Sequence, residues 1–171
     1  MNVFDFAMQM EVDGKKLYEK LAAGSNDAGL RKIFLLLAAD EQKHFEIFQA
    51  LQQGTQPTMQ DTTALEESRL IFREAMANKD EILKTIDVDL EGYRYAMKLE
   101  ADSARLYEDA AKRESQQEIK ELLLRVAGEE QKHFNILENI YDFFNAPNQY
   151  LAWREFSNLE EFHQFGRDVD R

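Results

Sequence analysis

Apolar residues recur at helical spacing in four long stretches of this chain, and each stripe is broken by polar residues at matching places. Leu30, Phe34, Leu37, Phe48 and Leu51 mark one face of a helix expected from about Asp27 to Gln53. Ile119, Leu123, Val126, Leu137, Ile140 and Phe144 predict another from Ser115 to about Phe144. The stripe Phe4, Met8, Tyr18 and Leu21 predicts a first helix over residues 2–23, with Asn2 placed to cap it. Tyr93, Met97, Tyr107 and Ala111 predict a third, capped by Asp87 or Asp89 and running to about Arg113.

The connections are equally readable. Gly24-Ser25-Asn26-Asp27-Ala28-Gly29 reads as a turn, and Ser115-Gln116-Gln117-Glu118 has the form of a capping box opening the last helix. Each pair of helices is therefore an antiparallel hairpin. Gly54 to Pro57 ends the second helix, and some thirty residues to about Ile86 form a long crossover of the kind that joins two hairpins end to far end. Leu65, Phe72 and Met76 predict one short amphipathic helix within it, over Asp61 to Asn78, broken at Asn78-Lys79-Asp80. The expected fold is all-α: a four-helix bundle over residues 1–146 and a C-terminal helical extension over residues 147–171. That extension carries Tyr150, Trp153, Phe156, Phe162 and Phe165, and packs on the bundle or on a partner subunit.

The polar interruptions hold the chemistry. Glu41-Gln42-Lys43-His44-Phe45 returns as Glu130-Gln131-Lys132-His133-Phe134, offset by 89 residues, and each copy has a glutamate thirty residues upstream, Glu11 and Glu100. Glu and His three apart share a helix face. Fifteen residues up one helix and fifteen down the next, at about 1.5 Å each, return the chain to its starting height. All six residues sit where a bundle expects leucine, so four carboxylates and two imidazoles are expected to face inward at one level. Residues 7–51 align without gaps with 96–140, matching also Ala7 with Ala96, Asp13 with Asp102 and Ala38 with Ala127, as a duplication would leave them. Gly14, in the middle of the first helix, suggests close packing against a neighbour.

Unpartnered buried carboxylates cost several kcal/mol each. No Lys or Arg falls on the stripes, whereas two divalent cations would balance four carboxylates, with one imidazole for each. Oxygen-rich ligation suits iron, with manganese also compatible, better than a thiolate-selecting ion. Tyr18 and Tyr107 follow the upstream glutamates by seven residues on the same face, where their hydroxyls can bond a metal-holding carboxylate of a facing helix. His163 lacks a glutamate three residues before it and is not expected to be a ligand.

Composition narrows the partners. A net charge of −12 argues against nucleic acid, and the absence of cysteine removes disulfides, thiol catalysis and iron–sulfur ligation. There is no leader and no apolar run of membrane-spanning length, which reads as a cytoplasmic protein of one domain with ample core.

The doubled Glu…Glu-x-x-His pattern resembles the ferritin-like di-iron carboxylate proteins. The runs Met10 to Tyr18 and Asp40 to Phe45 are most similar to the rubrerythrins, over about residues 2 to 145. The resemblance implies Glu11 and Glu100 as terminal ligands, Glu41 and Glu130 as bridges, His44 and His133 each on one of two Fe ions, and a homodimer. It further implies reduction of hydrogen peroxide or O2 in oxidative-stress defence. An external electron donor such as a rubredoxin is needed, because this chain lacks the four-cysteine module that rubrerythrins usually carry. Ser103 stands where they have an extra glutamate that exchanges with a histidine as the irons change oxidation state. Ferroxidase action on iron itself, hydroxylation, manganese catalase chemistry and a non-catalytic metal-binding bundle are the other readings open to the same six residues.

Overall fold

The computed structural model describes residues 2–145, and the expected C-terminal extension lies outside them. Four long helices dominate: α1 (Val3–Gly24), α2 (Ala28–Gln52), α5 (Leu90–Arg113) and α6 (Gln117–Asn145). Two short ones, α3 (Ala64–Ala75) and α4 (Lys79–Thr85), lie in the crossover. No strand occurs among the described residues. The all-α bundle of two hairpins with a long crossover is thus as the apolar pattern predicts.

Helix ends follow local chemistry. Asn2 accepts from the Asp5 amide while Asp5 accepts from the Asn2 amide, a reciprocal cap that satisfies two donors at the start of α1. Asp27 caps α2 and Asp89 caps α5 through the Leu30 and Gly92 amides, each at 2.9 Å. At the far end of α2, Gly54 adopts φ +76°, and Thr55 donates back to the Ala50 carbonyl at 2.9 Å, closing the helix as only a left-handed residue permits. The cap expected at Ser115 is not used. α6 starts two residues later, and the preceding turn is held by the Gln116 amide donating to Glu114 at 2.8 Å.

The crossover also differs from expectation. The chain breaks after Ala75 in a 3-10 turn, Met76–Asn78, but resumes helix as α4. Asp80 and Glu81 in the first turn of α4 and Lys84 in its last suit the helix dipole, and Ile82, Leu83 and Ile86 pack on the core. Asn26 then pins the end of the crossover to the first hairpin, donating to the Thr85 carbonyl at 3.1 Å and accepting from the Asp87 amide at 3.2 Å.

α1 packs along α2, and α5 along α6, with α1 also against α5 and α2 against α6. The buried apolar residues form two clusters. One gathers Tyr18, Leu21, Ile33, Phe34, Leu37, Tyr93, Ile136 and Ile140, the other Ala7, Ile47, Phe48, Tyr107, Leu123 and Val126. On every long helix the predicted Glu or Glu-His positions fall between the two. The polar layer therefore divides the core across its middle, and the crossover runs from the Leu51 end of the bundle to the Tyr93 end.

Leu37 is fully buried and Leu35, two residues away, is 51% exposed. Leu37→Ala is expected to cost about 2–5 kcal/mol and Leu35→Ala within about 1 kcal/mol. Urea denaturation of the metal-free variants checks both; equal losses would mean that α2 presents a different face to the core.

Candidate metal centre

Three-residue spacing on a helix aims Glu41 and His44 of α2 the same way, and Glu130 and His133 of α6 likewise. Glu11 reaches the same level from α1 and Glu100 from α5. All six side chains are buried, both histidines completely. Their ligand atoms fall into two groups, Glu11, Glu41, His44 and Glu130, and Glu41, Glu100, Glu130 and His133, with atoms in each group within 4.8 Å of one another. Glu41 and Glu130 belong to both groups. Each hairpin supplies three donors to one group and borrows a glutamate from the other hairpin.

The imidazoles aim Nδ1 inward. His44 Nδ1 lies 3.2 Å from Glu130 Oε1 and 3.5 Å from Glu11 Oε2, and His133 Nδ1 lies 3.0 Å from Glu41 Oε1 and 3.3 Å from Glu100 Oε1. The two rings stack at 5.9 Å. In the metal-free protein this crowding sets protonation. Burial, and then the charge of Glu130, push Glu11, Glu41 and Glu100 upward, the last two strongly. Burial would lower both histidines, but the surrounding carboxylates outweigh it and hold them well above the usual imidazole value. Burial opposes the charge of Glu130 too, yet the two imidazoles prevail and keep its carboxyl well below the ordinary range.

Outside the six lies a reciprocal set of hydrogen bonds. Tyr18 Oη donates to Glu100 and Tyr107 Oη to Glu11, each crossing from one hairpin to the other. Burial, then the neighbouring carboxylates, raise both phenols well above their ordinary value, so they stay protonated and remain donors. The outer nitrogens of the histidines cross in the same way. His44 Nε2 is 2.9 Å from Glu129 Oε1, and His133 Nε2 is 2.9 Å from Asp40 Oδ2. Sequence reasoning missed this pair, although Asp40 and Glu129 stand 89 residues apart, each directly before a paired glutamate. The repeat of an acidic doublet was the available signal. For Asp40, burial is outweighed by His133, Thr62 and Lys43, which hold its carboxyl down at about 2.

The donors fit a pair of metal ions. Among the described residues, Glu11 Oε2, Glu41 Oε1, both oxygens of Glu130 and His44 Nδ1 are buried without a hydrogen-bond partner, and all belong to the two groups. Such atoms are costly unless something in the cavity engages them. A neutral histidine donating through Nε2 leaves the Nδ1 lone pair facing that cavity. Four carboxylates and two neutral imidazoles match the charge of two divalent ions and the hard, oxygen-rich set that iron and manganese accept.

A cleft of about 220 Å³ runs from partly exposed Lys15, Gln42 and Phe45 down to Glu11 and Glu41. Lys15 Nζ donates to Gln42 Oε1 at 2.9 Å across it. Gly14 lies where α1 meets α2, and a Cβ there would come within 2.8 Å of Glu41 Oε2. The expected close packing is thus against a carboxylate of the site. Ser103, the counterpart of Gly14 in the repeat, is buried beside Glu100 on α5. Among the described residues no helix is long and apolar enough to cross a membrane.

A family model described as rubrerythrin matches residues 2–141. No curated protein and no solved structure gives a significant match.

Loading must displace the protons that the metal-free site holds. A group whose folded pKa is raised lends stability in full below its unfolded value and loses it as pH climbs through the folded one. The raised glutamates and histidines therefore weaken the metal-free fold as pH rises, while deprotonated ligands bind metal better. The gain in melting temperature on adding Mn(II) is expected to grow between about pH 5.5 and about pH 8, with protons released on binding. Thermal scans of both forms and a pH-indicator titration check this; a gain that shrinks with pH would contradict the assignment.

Proposed function

Because the chain belongs to the rubrerythrin family, we propose that it is a di-iron oxidoreductase that reduces hydrogen peroxide, or O2, with electrons from a separate donor protein. The reading is carried by the two overlapping groups of buried donors that share Glu41 and Glu130. In it, Glu11 and His44 would hold one iron and Glu100 and His133 the other, with Glu41 and Glu130, which belong to both groups, available to each. A bound pair of irons supplies two-electron redox chemistry by cycling between its diferrous and diferric states. Reduction of one peroxide to two waters takes two electrons from the donor and two protons from solvent. These 171 residues contain no cysteine to ligate a second iron centre, which supports a separate donor.

The protein's own part is positional. Tyr18 and Tyr107, kept protonated, hold Glu100 and Glu11 by hydrogen bonds from the opposite hairpin. Apolar clusters on either side of the polar layer exclude bulk water. The cleft beside Gly14, about 220 Å³, reaches Glu11 and Glu41 and gives a small oxidant an approach to the site. We assign the activity to the cytoplasm, in defence against oxidative stress.

A second reading takes iron as the substrate, in a ferroxidase. It is favoured by Ser103, which puts a hydroxyl, not a further carboxylate, in the buried position one turn after Glu100.

Anaerobic Fe(II) titration of the intact protein is expected to saturate at two irons per chain, matching the two donor groups. Stoichiometric peroxide should then oxidise them rapidly, and a reduced rubredoxin should sustain turnover. Glu41→Ala, which takes a donor from both groups, is expected to weaken binding at least tenfold, about 1.4 kcal/mol or more. Uptake that continues beyond two irons, with no donor-dependent peroxide turnover, would favour the ferroxidase. Absence of specific iron binding would overturn both readings.

A further inference from the structure

The crossover chain passes over the outer face of the polar layer, and a single residue of it meets both histidine systems. Thr62 Oγ1 donates to Asp40 Oδ2, the oxygen that His133 Nε2 approaches at 2.9 Å. The Thr62 amide donates at 2.8 Å to Glu129 Oε2, while Glu129 Oε1 is 2.9 Å from His44 Nε2. The hydroxyl's direction is fixed, because the same oxygen accepts from the Ala64 amide at 3.1 Å, leaving its hydrogen for Asp40. Two chains of bonds thus diverge from one residue, to His133 through Asp40 and to His44 through Glu129.

The segment around Thr62 is itself held to both hairpins. Lys43 of α2 donates to the Gln60 carbonyl at 2.9 Å and lies 3.0 Å from Glu129 and 3.5 Å from Asp40. Arg125 of α6 donates to the Met59 carbonyl at 2.6 Å and to Asp61 at 3.0 Å. Met59 is buried in the apolar cluster on that side of the site. Lys43 of α2 stands beside both carboxylates, and Thr62 adds to each of them a donor from the crossover.

We infer that Thr62 is a positioning residue of the metal centre. By holding Asp40 and Glu129, it fixes the ring orientation of His133 and His44 and keeps their Nδ1 atoms directed into the site. A carboxylate on the outer nitrogen of a metal-binding histidine fixes its tautomer and orientation, and its loss typically weakens metal affinity about 10–100-fold. Thr62 acts one bond further out, and its two arms are separable. The hydroxyl serves the His133 half, and the amide, which any non-proline residue keeps, serves the His44 half. The crossover is then part of the site's geometry as well as a connection between hairpins.

The inference rests on the reading of the six residues as a two-metal site, and one titration separates the two claims. Co(II) is added to metal-free wild type, Thr62→Val, Thr62→Ser and Glu41→Ala, following visible absorption, with melting of the metal-free proteins as the check on folding. Wild type is expected to bind in two steps that Glu41→Ala disrupts, which tests the site itself. In Thr62→Val one step should weaken about tenfold with a changed Co(II) spectrum while the other is kept, and Thr62→Ser should restore both. Wild-type binding in Thr62→Val, equal weakening of both steps, or failure of Thr62→Ser to restore the lost step would overturn the role of Thr62 and leave the site standing. Wild type that binds no Co(II) would remove the site and the inference together.

Discussion

The fold depends on one unfavourable act, the burial of four carboxylates and two imidazoles in the middle of an apolar bundle. Among the described residues, oxygens of Glu11, Glu41 and Glu130 are left without a hydrogen-bond partner. Burial and mutual repulsion raise the pKa values of Glu41 and Glu100, the surrounding carboxylates raise those of both histidines, and the two imidazoles lower that of Glu130. The apolar clusters on either side must supply the stability that this layer withdraws. That explains why Phe34, Leu37, Phe48, Val126, Leu137 and Ile140 are completely buried around it.

Neither hairpin completes its half alone. Tyr18 serves Glu100 and Tyr107 serves Glu11; Asp40 serves His133 and Glu129 serves His44. Every one of these bonds crosses between hairpins, and each residue in them has its repeat counterpart, 89 residues along the chain, in the reciprocal bond. A duplicated hairpin that pairs with its copy about a twofold axis produces such reciprocity at once, since any contact made by one copy is made by the other. The site is thus a property of the paired hairpins, and ordering it is coupled to closing the bundle.

Much of this was legible in the sequence because the signals were periodic. Interrupted apolar stripes located the four helices, and thirty-residue intervals put Glu11 level with Glu41 and Glu100 with Glu130. What escaped was not periodic. Asp40 and Glu129 precede their glutamates by one residue, a third of a turn off the stripe, where acidic residues ordinarily face solvent; their role depends on how the other hairpin is placed. Thr62 escaped for the same reason, since a threonine in an irregular connection carries no helical signal and gains meaning only where the crossover lies. The second crossover helix was hidden by Asn78, which ends one turn without preventing the next from starting.

Symmetry is broken where access is needed. Gly14 and Ser103 occupy equivalent places, as do Lys15 and Ala104, and Phe45 and Phe134. On the second hairpin Ser103, Ala104 and Phe134 are all buried, while on the first Lys15 and Phe45 stay partly exposed along the cleft that reaches Glu11 and Glu41. Glycine suits the open side because even a methyl group would press on Glu41 Oε2. The repeat thus presents a symmetric set of donors, and differences at a few small positions open an approach from one side.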